Sequence, residues 1–598
     1  MKKLLTLSLL VSFFTCSKAQ TPYFTTNDYK KALWMTTRMY GGQRSGTSAG
    51  AYNWLLIDKS TNGNSFVKDK DTDGYDLSGG WFDCGDHPKF GQTEFYSAYV
   101  LLKGYAEFAG GYDDRYAYNY AGYKNAGNWT FEGSGHAANG TADIVDEVRH
   151  ATDYFIKCTR DASTFYYQVG NGAYDHKHWV TSVQMQTRAV TEGGEGTTQR
   201  NVFKNPADAP MASFAGATLA LMARILKTSD PTYAQTCIDH AKFAYAYANA
   251  HKGQSAKDAE GGAYYGSLNA NPSDAYVCLL AELYWATNDA TYQTEALAYT
   301  VGATSGNIHG MSWGLDYVNN GDLGVYNLYL LGKTGAAAAF TTIINNNYLT
   351  KVQSDGQFSG GNTGYGPLRY NGNTALIVAF WLKRNPSAAA ATITSAKKFV
   401  YSNIDYILGK NSKNLSFIVG FTTSGITSAI HPHHRNVYLS DADALTANMA
   451  IPARNTQFGY MVGGRRDPTA YLDDATNYNN TEGGIDYNAG LVGALAYINL
   501  VNAPVNKFTV ADVMAVVTGI NNTEESKDLI IFPNPSNSQF TLNSPENGIV
   551  KVFDNIGKEI MTFSHEGECT FGETLIPGIY HVVQYKDGQI FKSVNIVK

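Results

Sequence analysis

"YDLSGGWFDCGDHPKF", residues 75 to 90, places two aspartates, Asp83 and Asp86, among Trp81, Phe82 and Phe90. Carboxylates beside that much aromatic surface must be paired, hydrated or put to use, because an isolated buried charge is costly. Gly85 allows a tight turn that aims both carboxyl groups the same way, and Pro88 suits the first turn of a following helix. On these residues alone, capping of that helix by Asp86, worth about 1 kcal/mol, competes with a chemical role. A chemical role requires a partner elsewhere in the chain.

Two further stretches offer one. "YLDDATNYNNTEGGIDYNAG", 471 to 490, carries Asp473 and Glu482 with Tyr478 between them, then Asp486, Tyr487 and a helical pattern. Breaking a glycosidic bond takes one carboxylic acid to protonate the leaving oxygen and one carboxylate to activate water or attack. "AIHPHHRNVYLSD", 429 to 441, holds His431, His433, His434 and Arg435. Arg435 places a cation among would-be metal ligands, and the Glu of a helical zinc motif is missing. Hydrogen bonding to sugar hydroxyls and to a carboxylate is the better use of these residues, and no metal-ligand set is assigned.

The bulk numbers suit that chemistry without requiring it. The 598 residues exceed one ordinary core, which predicts several domains or one large toroid. Charged residues make up only 16 %, against 42 Tyr, 28 Phe and 59 Gly, with a net charge of −6. No basic run exists to bind nucleic acid. Tyrosine-rich, weakly acidic surfaces fit neutral polymers such as sugars.

Residues 1 to 19 read as a signal peptide: Lys2 and Lys3, an apolar run from Leu4 to Phe14, then small Ser17 and Ala19. That run is too short to span a bilayer, and no later window supplies a transmembrane segment. Beyond Cys16, the cysteines 84, 158, 237, 278 and 569 are widely spaced, which predicts buried core thiols.

From about Tyr29 to Asn502 the pattern is helical. Ile144, Val148, Ala151 and Phe155 share one face, as do Val277, Leu280, Ala281 and Tyr284, and Leu491, Leu495 and Ile498. Long Gly/Asn/Tyr-rich loops, 159–205 and 409–486, are expected to carry function. After a linker at 503–525 the pattern turns to short β-rich runs, with a hairpin signal at Asp587-Gly588, which predicts a small β-sandwich over 526–598.

Several ordered blocks across 22–502 resemble glycoside hydrolase family 9. They are "YDLSGGWFDCGDHPKF", "DEVRHATDYFIK", "FYYQVGNGAYDHKHW", "YGPLRYNGNTAL", "LGKNSKNLSFIVGF…HPHHR" and "YLDDATNYNNTEGGIDYNAGLVGALA". The resemblance implies a mainly α, (α/α)6-barrel catalytic domain and a secreted, inverting endo-β-1,4-glucanase acting on cellulose or related β-glucans. It implies Asp86 as general base with Asp83 holding the water, Glu482 as general acid, and His433 and Asp473 as further site residues. His176, Trp179, Trp313, Tyr365, Arg369, Arg435 and Tyr487 would bind sugar.

The sequence departs from the family at several of these positions. Cys84 replaces Ala, Ala475 replaces a common Arg, Gly483-Gly484 replaces Val-Ala, and Tyr365 replaces Trp, which weakens one stacking platform. "SDAY" at 273–276 lacks the Glu of the family's "DEL", which argues against the structural calcium of some members; the chemistry itself needs no cofactor. "FPNPSNSQFTL", "VKVFDNIGKEI" and "GIYHVV" resemble a type IX secretion sorting domain, which implies that machinery as partner and a secreted or cell-surface location. A monomer is expected. A non-catalytic glycan-binding protein on the same scaffold, a member acting on another β-glycan or processively, and a metal enzyme using Asp473-Asp474 stand as alternatives.

Overall fold

The computed structural model describes residues 22–46, 65–114, 139–267, 271–302, 307–310, 313–437, 456–502 and 529–598, the last without 535, 545–546, 555–557 and 587–588. The signal-peptide and linker assignments lie outside the described residues. The chain divides between residues 517 and 518 into two compact units.

In the first unit the described residues form twelve helices of seven residues or more. These are α1 (Thr26–Gly42), α2 (Gly91–Phe108), α3 (Asp143–Cys158), α4 (Pro210–Leu226), α5 (Pro231–Ala250) and α6 (Ser273–Thr287). There follow α7 (Ala290–Ala298), α8 (Gly321–Leu330), α9 (Ala336–Thr342), α10 (Pro367–Arg384), α11 (Ala390–Leu408) and α12 (Ile485–Asn502).

The even-numbered helices form a ring. α2 packs on α4, α4 on α6, α6 on α8, α10 on α12, and α12 on α2. α8 meets α10 through the stacked rings of Tyr326 and Phe380, 4.7 Å apart. Each odd-numbered helix lies mainly against one member: α1 on α12, α3 on α2, α5 on α4, α7 on α6, α9 on α8 and α11 on α10. This is an (α/α)6 barrel.

The two rings bury their side chains differently. An outer helix touches the barrel along one stripe, so α5 buries only Ala234, Cys237, Ala241, Ala244, Tyr247 and Ala248. An inner helix has neighbours on several sides, and α12 is buried continuously from Ile485 to Asn499. α6 is likewise buried from Asp274 to Leu283, beyond the face its periodicity marks. That all-round burial is why an amphipathic pattern is clear in α3 and weak in the inner helices.

Loops add short strands. β1 (Lys89–Phe90), β2 (Tyr166–Val169) and β3 (Val202–Lys204) make an antiparallel sheet in that order. β4 (Leu415–Ser416) pairs in parallel with β5 (Thr427–Ser428). β1 separates Pro88 from α2, whose N-cap is Phe90 with no side-chain cap. Pro88 therefore does not open the helix, and Asp86 does not cap it.

The second unit is all β. β6 (Ile530–Phe532), β7 (Phe540–Asn543) and β10 (Glu568–Phe571) form one antiparallel sheet, ordered β10-β7-β6. β8 (Gly548–Phe553), β9 (Glu559–His565), β11 (Ile579–Lys586) and β12 (Gln589–Val597) form another, ordered β12-β11-β8-β9. Phe540, Leu542, Val550, Val552, Val582 and Ile596 fill its core. β11 pairs antiparallel with β12, Lys586 opposite Gln589, around the predicted hairpin turn, whose two residues lie outside those described. No described helix is long and apolar enough to cross a membrane.

Candidate active site

The N-terminal ends of α2, α8, α10 and α12 converge on one cavity of about 820 Å³. Asp83, Cys84, Asp86 and Phe90 reach it ahead of α2, Tyr317 ahead of α8, Tyr365 and Arg369 at α10, and Tyr478, Glu482 and Tyr487 around the start of α12. His176, His178 and Trp179, from the 159–205 loop, complete the wall with His433 and Arg435, from the 409–486 loop. Both long loops thus supply the cavity.

Backbone bonds lock these loops together. The Ile485 amide, at the start of α12, donates to the Asp83 carbonyl at 3.0 Å. The Arg435 amide donates to the Gly85 carbonyl at 2.9 Å, and the His433 amide to the Thr481 carbonyl at 3.0 Å. Gly85 has no positive φ, so its role is not the turn expected from the sequence. A Cβ there would stand 2.1 Å from the His433 carbonyl oxygen, and only glycine lets the two loops touch.

The two aspartates sit in different surroundings. Asp83 accepts from the hydroxyls of Thr93 and Tyr265, and from the Cys84 thiol at 3.3 Å. Burial and the neighbouring Asp86 charge nevertheless push its carboxyl well up. Asp86 bonds His176 Nε2 at 3.1 Å. Burial pushes Asp86 up too, but the His176 bond, the His176 charge and Arg435 outweigh it and hold the carboxyl below its ordinary range. Reciprocally, Asp86 raises His176 against the effect of burial.

Glu482 follows the four-residue turn Tyr478–Thr481. Burial, then the Asp86 charge, push its carboxyl up to about 7, against the opposing pull of Tyr365, His176 and Arg435. The Tyr365 hydroxyl donates to Glu482 Oε2. One cavity therefore holds one carboxyl biased to stay ionised and another biased to stay protonated near neutral pH, the division of labour that acid–base chemistry needs.

The remaining wall residues are oriented by their neighbours. His433 Nδ1 lies 2.5 Å from the Ala475 carbonyl. A carbonyl only accepts, so Nδ1 carries the proton and Nε2 is left as an acceptor. Burial holds this ring neutral, its pKa lowered to about 4. The ring packs between Trp179 and Tyr478, at 4.7 and 5.9 Å. Arg435 lies over Trp179 at 5.1 Å, and its Nη2 is 3.6 Å from Asp175. Arg369 pairs with Asp486 at 3.2 Å and lies over Tyr487 at 5.3 Å.

Two sequence-predicted residues do not line the cavity. Asp473 accepts from the amides of Ile430 and His431, at 2.9 and 3.2 Å, and from the Tyr471 hydroxyl at 2.9 Å. It pins the segment leading to His433 and does not line this cavity. Trp313 is 47 % exposed, with its indole N–H 3.4 Å from the Tyr370 hydroxyl. Cys84 is buried as expected but also forms part of the cavity wall, whereas Cys569 is only half-buried.

Sequence reasoning missed Tyr264 and Tyr265, the second of which holds Asp83. Their signal is an aromatic pair in the glycine-rich "GGAYYGS", 261–267. Asp258 shapes that loop by accepting from the amides of Gly262, Tyr264 and Tyr265 at 2.6–2.7 Å.

Asp86, Asp175 and His176 bring ligand atoms within 4.8 Å of one another, but Arg435 beside Asp175 and the Asp86–His176 bond already balance the carboxylate charge. Asp473 accepts from the Ile430 and His431 amides and the Tyr471 hydroxyl, and Asp474 Oδ1 from the Thr476 amide and hydroxyl. The family's calcium block keeps Asp274, buried near Asp322, and each leaves one buried oxygen without a hydrogen-bond partner. Those two carboxyls are the residues that would hold a structural cation; neither lines the cavity, and Ala275 contributes no side-chain ligand.

This (α/α)6 barrel, whose helix ends frame an aromatic-walled cavity with three carboxyl groups in unlike states, is that of a glycoside hydrolase. The chain matches the pattern of glycosyl hydrolase family 9 over residues 29–495 and belongs to that family. Its second unit matches the secretion system C-terminal sorting domain over 530–597. Endoglucanase A of Fibrobacter succinogenes is 31 % identical, over 73 % of this chain and 92 % of that protein. Endoglucanase B of Cellulomonas fimi is also 31 % identical, over 79 % of this chain, which spans only 42 % of that relative. Among solved structures, the cellulase Cel9M of C. cellulolyticum in complex with cellobiose superimposes with a TM-score of 0.63 at 29 % identity, covering 79 % of this chain and 98 % of that one. The endoglucanase of the termite Nasutitermes takasagoensis gives 0.59 at 27 %, covering 79 % and 99 %.

Proposed function

We propose that this protein is an exported endo-β-1,4-glucanase that cleaves cellulose or a related β-glucan with inversion. Asp86 is the general base, Asp83 helps hold the attacking water, and Glu482 is the general acid. The observation that carries this reading is the contrast across the cavity: Asp86 held ionised by His176, and Glu482 raised to about 7 by burial and by Asp86.

The chemistry follows from those states. Asp86 takes a proton from the water whose oxygen bonds the anomeric carbon from the face opposite the leaving group. Glu482 gives its proton to the glycosidic oxygen, whose bond to that carbon breaks. A β linkage thereby yields an α product. His433 Nε2, Arg435 and the Arg369–Tyr487 pair offer polar contacts for sugar hydroxyls, while Trp179, Tyr264 and Tyr478 offer ring faces.

The sorting domain supports export to the cell surface or beyond through type IX secretion. Reducing-sugar release from a soluble cellulose derivative tests the reading. Glu482→Gln and Asp86→Asn should each lower the rate by roughly 10² to 10⁴, with Tm retained. More than half the activity in either folded variant would sink the assignment, and no hydrolysis by the wild type would favour a glycan-binding role. Product profiles over time on several β-glucans decide endo against processive action.

A further inference from the structure

Tyr365 stands where the sequence expectation was a weakened stacking platform, yet its hydroxyl is spent on a carboxyl group. The turn before α10 fixes its place: Asn362 Oδ1 accepts from the amides of Gly364 and Tyr365 at 2.8 and 3.1 Å. Its ring leans on Tyr478 at 6.1 Å, and its hydroxyl donates to Oε2 of Glu482. At the backbone, the Glu482 carbonyl accepts from the Gly463 amide at 2.6 Å. The acid is thus held from two sides.

We infer that Tyr365 is a positioning residue for the acid step, its hydroxyl occupying Oε2 so that Oε1 carries the proton delivered to the leaving oxygen. The inference rests on Glu482 being the acid. A phenol O–H that donates to Oε2 leaves the acidic proton only Oε1. As that proton moves to the glycosidic oxygen, Glu482 becomes a carboxylate and the Tyr365 bond becomes charge-assisted. The bond is therefore stronger in the transition state than in the ground state, the condition for an interaction to speed the reaction.

Tyr365→Phe keeps the ring and removes only the donor. On cellopentaose, kcat should fall about 10- to 100-fold, the order of one hydrogen bond to a charged group, with KM nearly unchanged. Loss of a donor to the ionised form should move the alkaline limb of the pH–rate profile upward. Asp86, His176, Arg435, Cys84, Tyr460 and Tyr487, the other titratable and charged groups acting on Glu482 or near it, are unchanged in this variant. On dinitrophenyl β-cellobioside, whose leaving group departs without a proton, Tyr365→Phe should lose several-fold less than on cellopentaose. Equal losses on both substrates, an unmoved alkaline limb, or no loss on cellopentaose would overturn the inference. Glu482→Gln on the same two substrates separates the underlying assignment: an equal loss on both would remove Glu482 as the acid, and Tyr365's role with it.

Discussion

The thiol of Cys84 occupies the space that a methyl group at position 484 would need: a Cβ built on Gly484 would lie 2.9 Å from Cys84 Sγ. These are two of the positions at which the sequence departs from its family, and the structure brings them into contact. A larger residue on the aspartate loop is accommodated by a smaller one on the acid loop. Cys84 in turn donates to Asp83 and lies 3.7 Å from the Tyr265 hydroxyl.

Contact of this kind makes the two positions energetically coupled. Gly484→Ala alone should lower activity and Tm, because the new methyl group also meets Asp486 Oδ1 at 2.8 Å. Adding Cys84→Ala should recover part of both losses. Thermal melts and rates across the four-protein cycle check this, and strictly additive effects would show that the pair does not communicate.

The pH profile of kcat/KM should be bell-shaped. Turnover needs Asp86 ionised and Glu482 protonated. Asp86 lies below its ordinary range, so the acid limb should fall at low pH; Glu482 is raised to about 7, so activity should decline as pH climbs through neutrality. The two limbs belong to a coupled set of carboxyls and report the pair. A flat profile to well above neutral pH would contradict the acid assignment.

Proton NMR during early hydrolysis should show the α-anomer first. Direct attack by water requires room between Asp86 and Glu482, about 6.5–9.5 Å between carboxyl groups, whereas a nucleophile would stand about 5–5.5 Å away. A first-formed β-anomer would transfer the nucleophile's role to an aspartate and displace the present reading.

Removal of residues 526–598 should leave the purified enzyme fully active. All residues of the cavity wall belong to the first unit, and the β unit has its own core. In the producing bacterium the same truncation should strand the protein in the periplasm, which fractionation and activity staining would reveal. A folded but inactive truncation would show that the β unit contributes to substrate binding.

The chain's primary structure was enough to identify the helical domain, the β module, the family and the carboxyl groups. Spacing and residue type survive in sequence blocks such as "WFDCGDHPKF" and "NYNNTEGG", and outer-ring periodicity survives wherever one face meets the core and the other meets water. Ring closure was not legible, because inner helices such as α12 are buried on nearly every side and lose the alternation that marks a face. Nor were the separate fates of Asp83, Asp86 and Glu482, since a carboxyl's ionisation depends on burial and on groups brought from distant loops: His176 to Asp86, Tyr265 to Asp83, Tyr365 to Glu482. Asp473 shows the same limit from the other side, a signature residue whose oxygens the fold turns toward Ile430, His431 and Tyr471 and away from the cavity. Sequence determined which side chains were available; the convergence of loops at the barrel's end decided which of them share a dielectric environment, and so which hold a proton and which give it up.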